Sequence, residues 1–331
     1  MSVLLCLAFK GSREEYLKLI EMLNIINPRH KIPIESLDSF IQEDLIAMKR
    51  MGLRRFKLIG DNDTLVGFLE TSLWPFGSSE SNSYKVSFII PSDFWRLDVL
   101  KFSLNCITSI LPSTKNIHLY TILDSSVNEK LIKELKNLGF TYTWSFLEME
   151  HDLSVQISGE EVSTLLKRLE TKGIEIKSLG EVEEHRYLEI ISSIYQLEDE
   201  TIKDAPHIIR SLTETLDLES YSKLFKDNID KVCSFIAFKD DKIVGVSYNV
   251  RVADKLKTVF TGVLREYRGF GIAKALKLKT IERAKIEKLK SIIAFNDSIN
   301  APIIMLNTKL GFKVVTEWYV LIREGVKTTE I

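Results

Sequence analysis

Two blocks of the sequence recur in the same order, and this internal repeat limits the folds open to the chain. The pair Val66-Gly67 returns as Val244-Gly245, 178 positions later, each time within two segments that read as a hairpin. A second block, which ends in Leu138-Gly139-Phe140, returns as Leu310-Gly311-Phe312 at a spacing of 172. Two ordered matches indicate a duplicated unit, although chance similarity between common hairpins and helix ends would also produce them.

The spacing between the copies falls from 178 at the first block to 172 at the second, so the first copy carries six extra residues between the two blocks. The polar segment 75–83, PFGSSESNS, is the place where an insertion is tolerated most easily. Each copy then reads as helix, helix, strand, strand, strand, helix, strand, helix, strand, which is a mixed α/β pattern. In the first copy the two leading helices are predicted over 12–26, with Ser12 as N-cap, and over 37–50.

Ser158 and Glu161 have the spacing of a capping box, which predicts a helix that runs to about Lys172. The chain of 331 residues is about twice the length of a common domain, so this helix is a natural connection between two domains. The expected organisation is a first domain over 1–153, a connecting helix over 154–172 and a second domain over 173–331.

Composition argues against several classes of partner. The chain has 45 basic and 46 acidic residues without a long run of like charge, whereas nucleic-acid binding requires clustered Lys and Arg. No apolar run approaches the roughly 20 residues that span a bilayer, and residues 3–9 read as a first β-strand rather than a signal peptide. Three dispersed cysteines fit a reducing compartment, so a cytoplasmic protein is expected. The five histidines show no paired ligand spacing, and no metal site is expected.

The segment LREYRGFGIAKALK, residues 264–277, places Gly269 and Gly271 between a predicted strand and a predicted helix. Backbone N–H groups converge at such a helix start, and the helix dipole favours an anion there. A glycine has no Cβ, so a phosphate can approach the backbone closely. The alternative is that the two glycines only make a tight turn.

Other nucleotide loops fit this segment less well. The sequence lacks the GxxxxGK run of a P-loop. A dinucleotide fingerprint needs a third glycine, but Lys274 occupies that position. Asp297 imitates the ribose-binding acid of that fingerprint, yet only about 60 residues follow the loop, too few for the remaining strands of a dinucleotide fold.

Arg268 to Ala273 have the form R-x-x-G-x-A after a strand that ends in Val263, and Asn300 precedes a helix that ends in KLGF. These motifs resemble the acyl-coenzyme A loop and the closing helix of the GNAT superfamily of N-acetyltransferases. The resemblance is strong over roughly residues 230–322. The two copies are similar to the subset with two fused GNAT domains, as in mycothiol synthase-like proteins. The resemblance implies two tandem domains, each with a mixed, mostly antiparallel sheet flanked by helices.

The resemblance also implies how acetyl-CoA, the acyl donor, would bind. The pyrophosphate would sit on the loop backbone, the pantetheine arm would pair with the preceding strand, and the asparagine of the next helix would hydrogen-bond the arm. The expected cofactor-binding residues are Thr261, Gly262, Val263, Arg268, Gly269, Phe270, Gly271, Ile272, Ala273, Lys274 and Asn300.

Two departures from the family affect the expected chemistry. Where many members carry a tyrosine that protonates the leaving sulfur, this chain has Asn307, whose amide can only hydrogen-bond a thiolate. Where some carry a base glutamate, it has Phe295. Tyr319 and Tyr248 are candidates to substitute, or they are half-buried strand tyrosines. The expected catalytic residues are Asn307 and Tyr319.

In the first copy, Arg268 corresponds to Arg96, but the two glycines correspond to Leu97 and Val99. These side chains would obstruct a pyrophosphate, so the first domain is expected to bind no coenzyme and to serve a structural role. The expected function is transfer of an acetyl group to a primary amine of a small molecule by direct attack in a ternary complex, with a protein amine as a variant. The alternative is a non-catalytic acyl-CoA sensor or scaffold.

Overall fold

A computed structural model describes residues 4–29, 31–73, 82–111, 117–125, 129–155, 158–204 and 217–326. The chain forms two compact units, the first from Met1–Ser145 with Trp318–Ile331 and the second from Phe146–Glu317. The elements up to the end of the first copy are β1 (Leu5–Ala8), α1 (Arg13–Ile26), α2 (Leu37–Met51), β2 (Arg54–Ile59), β3 (Leu65–Leu73), β4 (Asn82–Ile89), α3 (Leu97–Ile110), β5 (Ile117–Asp124), α4 (Glu129–Asn137) and β6 (Thr141–Asp152). Those that follow are α5 (Gly159–Glu170), β7 (Ile174–Ser178), α6 (Tyr187–Ile202), α7 (Leu218–Asn228), β8 (Phe235–Lys239), β9 (Lys242–Val252), β10 (Lys255–Val263), α8 (Ile272–Ile286), β11 (Ser291–Asp297), α9 (Ala301–Lys309) and β12 (Lys313–Val326).

Each unit contains a mixed sheet with one parallel pair of strands. In the first unit the order is β1-β2-β3-β4-β5-β12, and only β4 and β5 run parallel. In the second unit the order is β7-β8-β9-β10-β11-β6, and only β10 and β11 run parallel. The predicted fold class, two tandem domains with mostly antiparallel sheets, is confirmed.

The repeat read from the sequence matches the structure element by element. Over the described residues, each copy has the nine predicted elements in the predicted order, and one further strand, β1 or β7, precedes them. The six extra residues lie where they were expected, because eight residues, 74–81, connect β3 to β4, whereas two connect β9 to β10. The inserted segment, 74–81, lies outside the described residues. Residues 205–216 also lie outside them, and these include His207, one of the five histidines that were not expected to bind a metal.

The compact units do not follow the expected boundaries at 153 and 173. The helix α5, expected as a connection, buries Val162, Leu165 and Leu169 in the core of the second unit. Residues 318–331 were expected in the second domain but belong to the first unit, because β12 pairs with β5 from Trp318 to Val326. Conversely, β6 pairs with β11 from Phe146 onward. Each sheet is therefore completed by a strand from the other copy.

Ser12 is the N-cap of α1, as the sequence predicts, and the cap includes both halves of a capping box. The Ser12 hydroxyl accepts a hydrogen bond from the Glu15 N–H at 3.2 Å, and the Glu15 carboxylate accepts one from the Ser12 N–H at 3.3 Å. These bonds satisfy donors that a helix start otherwise leaves unpaired.

We expect Ser12→Ala to lower the free energy of unfolding by about 1 kcal/mol, the usual contribution of an N-cap hydroxyl. Ser36 is the matched control, because it precedes α2 in the same unit but makes no side-chain capping bond. Ser36→Ala should therefore leave the free energy nearly unchanged. Urea denaturation of the two variants and the wild type measures both values, and equal losses would contradict the assignment of the cap.

Over the ranges that the structure describes, no helix combines the length and the apolar character needed to cross a membrane.

Candidate active site

A cleft opens in the second unit where β10 and β11 end their pairing. The two strands pair from Lys255 opposite Ser291 to Thr258 opposite Ala294. The residues that follow on both strands line a cavity of about 570 Å³, together with the loop before α8 and the starts of α8 and α9. A β-bulge between Thr258 and Phe260 lies at the point of divergence. The edge of β10 beyond the bulge therefore faces the cleft.

All the predicted cofactor-binding residues except Phe270 line this cleft, namely Thr261, Gly262, Val263, Arg268, Gly269, Gly271, Ile272, Ala273, Lys274 and Asn300. Phe270 lies on the outside of the loop instead. Its backbone carbonyl accepts a hydrogen bond from Arg168 Nη2 at 3.0 Å, and the Lys172 ammonium lies 4.7 Å from its ring centroid. Contacts with α5 and the residues after it thus brace this side of the loop.

Both loop glycines have backbone conformations that side chains disfavour. Gly269 has φ +82° and Gly271 has φ +94°. Gly271 is the N-cap of α8 without a side-chain capping bond, and the first turn of α8 carries no acidic residue. The first N–H groups of the helix have no intrahelical acceptor, so they point to the cleft end of the loop as donors. This arrangement suits an anion.

Three cationic side chains, from the loop and from the start of α8, are held by ion pairs. Arg268 donates from Nε to the Val263 carbonyl at 3.0 Å, and its Nη2 lies 2.8 Å from an Asp204 oxygen. Arg265 pairs with the same carboxylate, and both contacts hold the pKa of Asp204 below its ordinary value. Lys274 pairs with Glu161 of α5. The loop is therefore anchored at its strand end and at its helix end.

Asn300 is the N-cap of α9. Its side-chain carbonyl accepts a long hydrogen bond from the Ile303 N–H at 3.5 Å. Its NH₂ group makes no hydrogen bond to the described residues and borders the cleft. The capping role and a contact with a ligand are therefore compatible.

The two predicted catalytic residues do not line this cleft. Asn307 is completely buried, and its NH₂ group donates to Asn296 Oδ1 at 3.1 Å; Asn296 does line the cleft. Tyr319 belongs to the first unit, where its half-buried ring packs edge-to-face on Tyr142 with the centroids 5.4 Å apart.

The other candidate, Tyr248, is buried and donates to a Glu198 oxygen at 2.6 Å. Tyr248 thus has a structural partner and no access to the cleft.

Two buried titratable residues that no sequence motif marked as site residues, Lys277 and Asp297, also line the cleft. Lys277 of α8 is 3% exposed, and burial lowers its pKa to about 8. Asp297 accepts from the Ile299 N–H at 2.9 Å, whereas its other oxygen is buried without a partner among the described residues. Burial raises the pKa of Asp297. The only sequence signal for Lys277 was a lysine inside a helix whose neighbours are apolar.

The corresponding region of the first unit differs in shape and charge. Trp95 donates from its indole to the Ile90 carbonyl at 2.7 Å, much as Arg268 does to Val263. The helix α3 begins directly after Arg96, and its first turn carries Asp98, which pairs with Arg96 at 2.6 Å. A carboxylate at a helix start competes with any anionic ligand for the same positive end of the dipole.

Comparisons with known proteins agree with this geometry. Residues 194–312 match the protein-family model described as Acetyltransferase (GNAT) family. A search of the curated proteins found no match. Among similar solved structures, a GCN5-related N-acetyltransferase from Sphaerobacter thermophilus is 12% identical with a TM-score of 0.68, over 97% of this chain and 95% of its own. A tandem GNAT protein from the clavulanic acid biosynthesis pathway is 13% identical with a TM-score of 0.68, over 98% and 99%. A GNAT-family acetyltransferase from Colwellia psychrerythraea is 13% identical with a TM-score of 0.55, over 97% and 100%.

Proposed function

We propose that the chain is a GNAT acyltransferase with two tandem domains, which transfers the acetyl group of acetyl-CoA to a primary amine of a small molecule. The observation that carries this proposal is the cleft of the second unit. It combines a glycine loop at a helix start, a free strand edge and an asparagine at the next helix start. A protein amine as acceptor is the variant of the same proposal.

Different residues of the cleft would bind different parts of acetyl-CoA. The N–H groups from Gly269 to Lys274 would receive the pyrophosphate, because they lie at a helix start without an acidic side chain. The edge of β10 from Thr261 to Val263 would pair with the amide groups of the pantetheine arm, as an added strand does. The NH₂ group of Asn300 would donate to a carbonyl of the arm.

The chemistry then needs an amine and a thioester held in line. The uncharged amine attacks the carbonyl carbon, the carbon–sulfur bond breaks, and the thiolate leaves. Alignment of the two reactants alone supplies an effective molarity of about 10⁵–10⁸ M, so the reaction needs little general acid–base catalysis.

We propose that Asn307 acts through Asn296 as a positioning residue. A direct catalytic role for Tyr319 stays a prediction, since this residue belongs to the first unit.

The test is release of thiol from acetyl-CoA in the presence of a panel of primary amines. Thiol release with at least one amine, and formation of its acetyl amide, is the expected result. Before turnover is measured, binding is checked by thermal unfolding, because a ligand at about 100 times its Kd stabilises a protein by about 2.7 kcal/mol. Stabilisation by acetyl-CoA without turnover of any amine would favour the sensor, and stabilisation by NAD alone would overturn the proposal.

We also propose that the first unit binds no coenzyme, because it has Leu97 and Asp98 at the start of α3. Calorimetric titration with coenzyme A should give one molecule per chain. An Asp98→Asn variant removes the carboxylate and should leave this stoichiometry unchanged, since the backbone would still lack the glycine loop. A stoichiometry of two would refute the structural role of the first unit.

A further inference from the structure

Lys277 is a buried lysine that has no counter-charge among the described residues. It is 3% exposed and lines the cleft, yet no carboxylate or hydrogen-bond acceptor of the described residues contacts its Nζ. Among the described residues, its Nζ makes a cation–π contact with the ring of Phe312, whose centroid lies 5.4 Å away. Such a contact offsets only part of the cost of removing a charge from water. The side chain therefore spends a larger share of its time as the neutral amine than a surface lysine does.

Lys274 of the same helix provides the contrast. It also lines the cleft, but its ammonium pairs with Glu161, and its side chain is 34% exposed. The Glu161 carboxylate therefore engages the Lys274 nitrogen, whereas no such partner holds the Lys277 nitrogen among the described residues. Of these two cleft lysines, Lys277 is therefore the one whose amine is not engaged by a carboxylate of the described residues.

The position of Lys277 along α8 sets which part of a bound acyl-CoA it would meet. Lys277 lies six residues after Gly271, or about 9 Å along the helix axis. It lies on the same face as Ala273 and Lys274, since positions three and four apart are neighbours on a helix. Its amine is thus beyond the proposed pyrophosphate position and beside the part of the cleft that the pantetheine arm and the thioester would fill.

We propose that Lys277 is a site of self-acylation by the acyl-CoA bound in this cleft. The inference rests on the proposed binding of acetyl-CoA. In the reaction the Nζ lone pair attacks the thioester carbonyl carbon, the carbon–sulfur bond breaks, and the thiolate leaves. The nitrogen loses one proton, which the thiolate takes up, so the products are an amide on Lys277 and free coenzyme A. The amide is neutral, which removes the unpaired charge from the cleft.

The burial of Lys277 supports this step. Because burial lowers its pKa to about 8, roughly half of the side chains are neutral at that pH. A solvent-exposed lysine is almost entirely protonated under the same conditions. Proximity in the cleft adds a further advantage over any lysine that acyl-CoA meets by diffusion.

The experiment is peptide mapping by mass spectrometry after the full chain is incubated with acetyl-CoA and no amine. We expect one acetyl group per chain on Lys277, one thiol released per chain, and Lys274 unmodified. A solvent-borne reagent, N-hydroxysuccinimidyl acetate, serves as the control for intrinsic reactivity. It should modify exposed lysines that have no ion pair among the described residues, such as Lys133 and Lys309, before Lys277. The reversal of this order with acetyl-CoA is the signature of delivery from the cleft.

Lys277→Arg keeps the positive charge but offers no acylatable amine, because a guanidinium does not lose its proton in proteins. This variant should release no thiol in the absence of an amine. Thermal stabilisation by acetyl-CoA measures binding independently in both proteins. Stabilisation of the wild type without acetylation of Lys277 would overturn the inference and leave the proposed function intact. Absence of any stabilisation would overturn the proposed function and the inference with it.

Discussion

Gly271→Ala should weaken the binding of coenzyme A by about 100-fold. At φ +94° a residue with a Cβ is strained by about 1–2 kcal/mol. The added Cβ would also lie 3.0 Å from both Arg168 Nη2 and Leu165 Cδ1 of α5. A change in the backbone torsions at residue 271 would relieve the strain and the close contacts. The same change would move the N–H groups at the start of α8 so that they no longer point at one ligand. Each lost hydrogen bond to a charged group costs about 1.5–3 kcal/mol. A combined loss of about 3 kcal/mol corresponds to the stated factor.

The matched control is Gly52→Ala in the first unit. Gly52 also has a positive φ, +60°, at the end of α2, but its Cβ would meet nothing within 4 Å. This variant should lose about 1 kcal/mol of stability from backbone strain and bind coenzyme A like the wild type. Calorimetric titration of both variants measures the affinities. Binding by Gly271→Ala within a few-fold of the wild type would show that the loop does not hold the pyrophosphate.

Features of the fold that depend on neighbouring residues could be read from the sequence. The Ser12 cap, the hairpin turns and the glycine loop each need only a few consecutive residues, whose chemistry specifies the local backbone. The internal repeat also indicated the order of the elements, because one order had to fit two segments of the chain. These are the parts of the fold that were predicted correctly.

The exchange of the last strands could not be read in the same way. A strand that pairs with β5 and one that pairs with β11 have the same alternating pattern, and the partner is chosen by contacts far apart in the sequence. The expected boundaries at 153 and 173 assumed that each copy closes its own sheet. In the structure, residues 318–331 belong to the first compact unit.

The candidate site shows the same division between local and long-range information. The loop residues were identified from their own motif, whereas the environment of Lys277 depends on what surrounds α8. The sequence suggested one apolar face for this helix, but residues on nearly every side of it are buried, among them Ile272, Lys277, Leu278 and Thr280. A lysine in a helix that is buried on nearly every side has almost no exposure to water, so its burial follows from packing and not from periodicity.

Lys277→Met should stabilise the protein most below pH 8 and progressively less as the pH rises. In the folded chain burial lowers the pKa of Lys277 to about 8, whereas an unfolded lysine titrates near 10.5. Below pH 8 both states carry the proton, and the folded state bears the full cost of the buried charge. Between pH 8 and 10.5 the unfolded state binds more protons, so the stability of the wild type rises with pH. The pKa difference corresponds to about 3 kcal/mol.

The quantity to measure is the difference in unfolding free energy between Lys277→Met and the wild type, by urea denaturation from pH 6 to pH 11. Other groups titrate in both proteins and cancel in this difference, which should shrink by about 3 kcal/mol across the series. Lys274→Met is the control on the same helix, and loss of its partly exposed ion pair should change the stability by less than about 1 kcal/mol. A difference for Lys277→Met that stays constant with pH would mean that the ammonium has a counter-charge in solution. The neutral amine on which self-acylation depends would then be too rare to react.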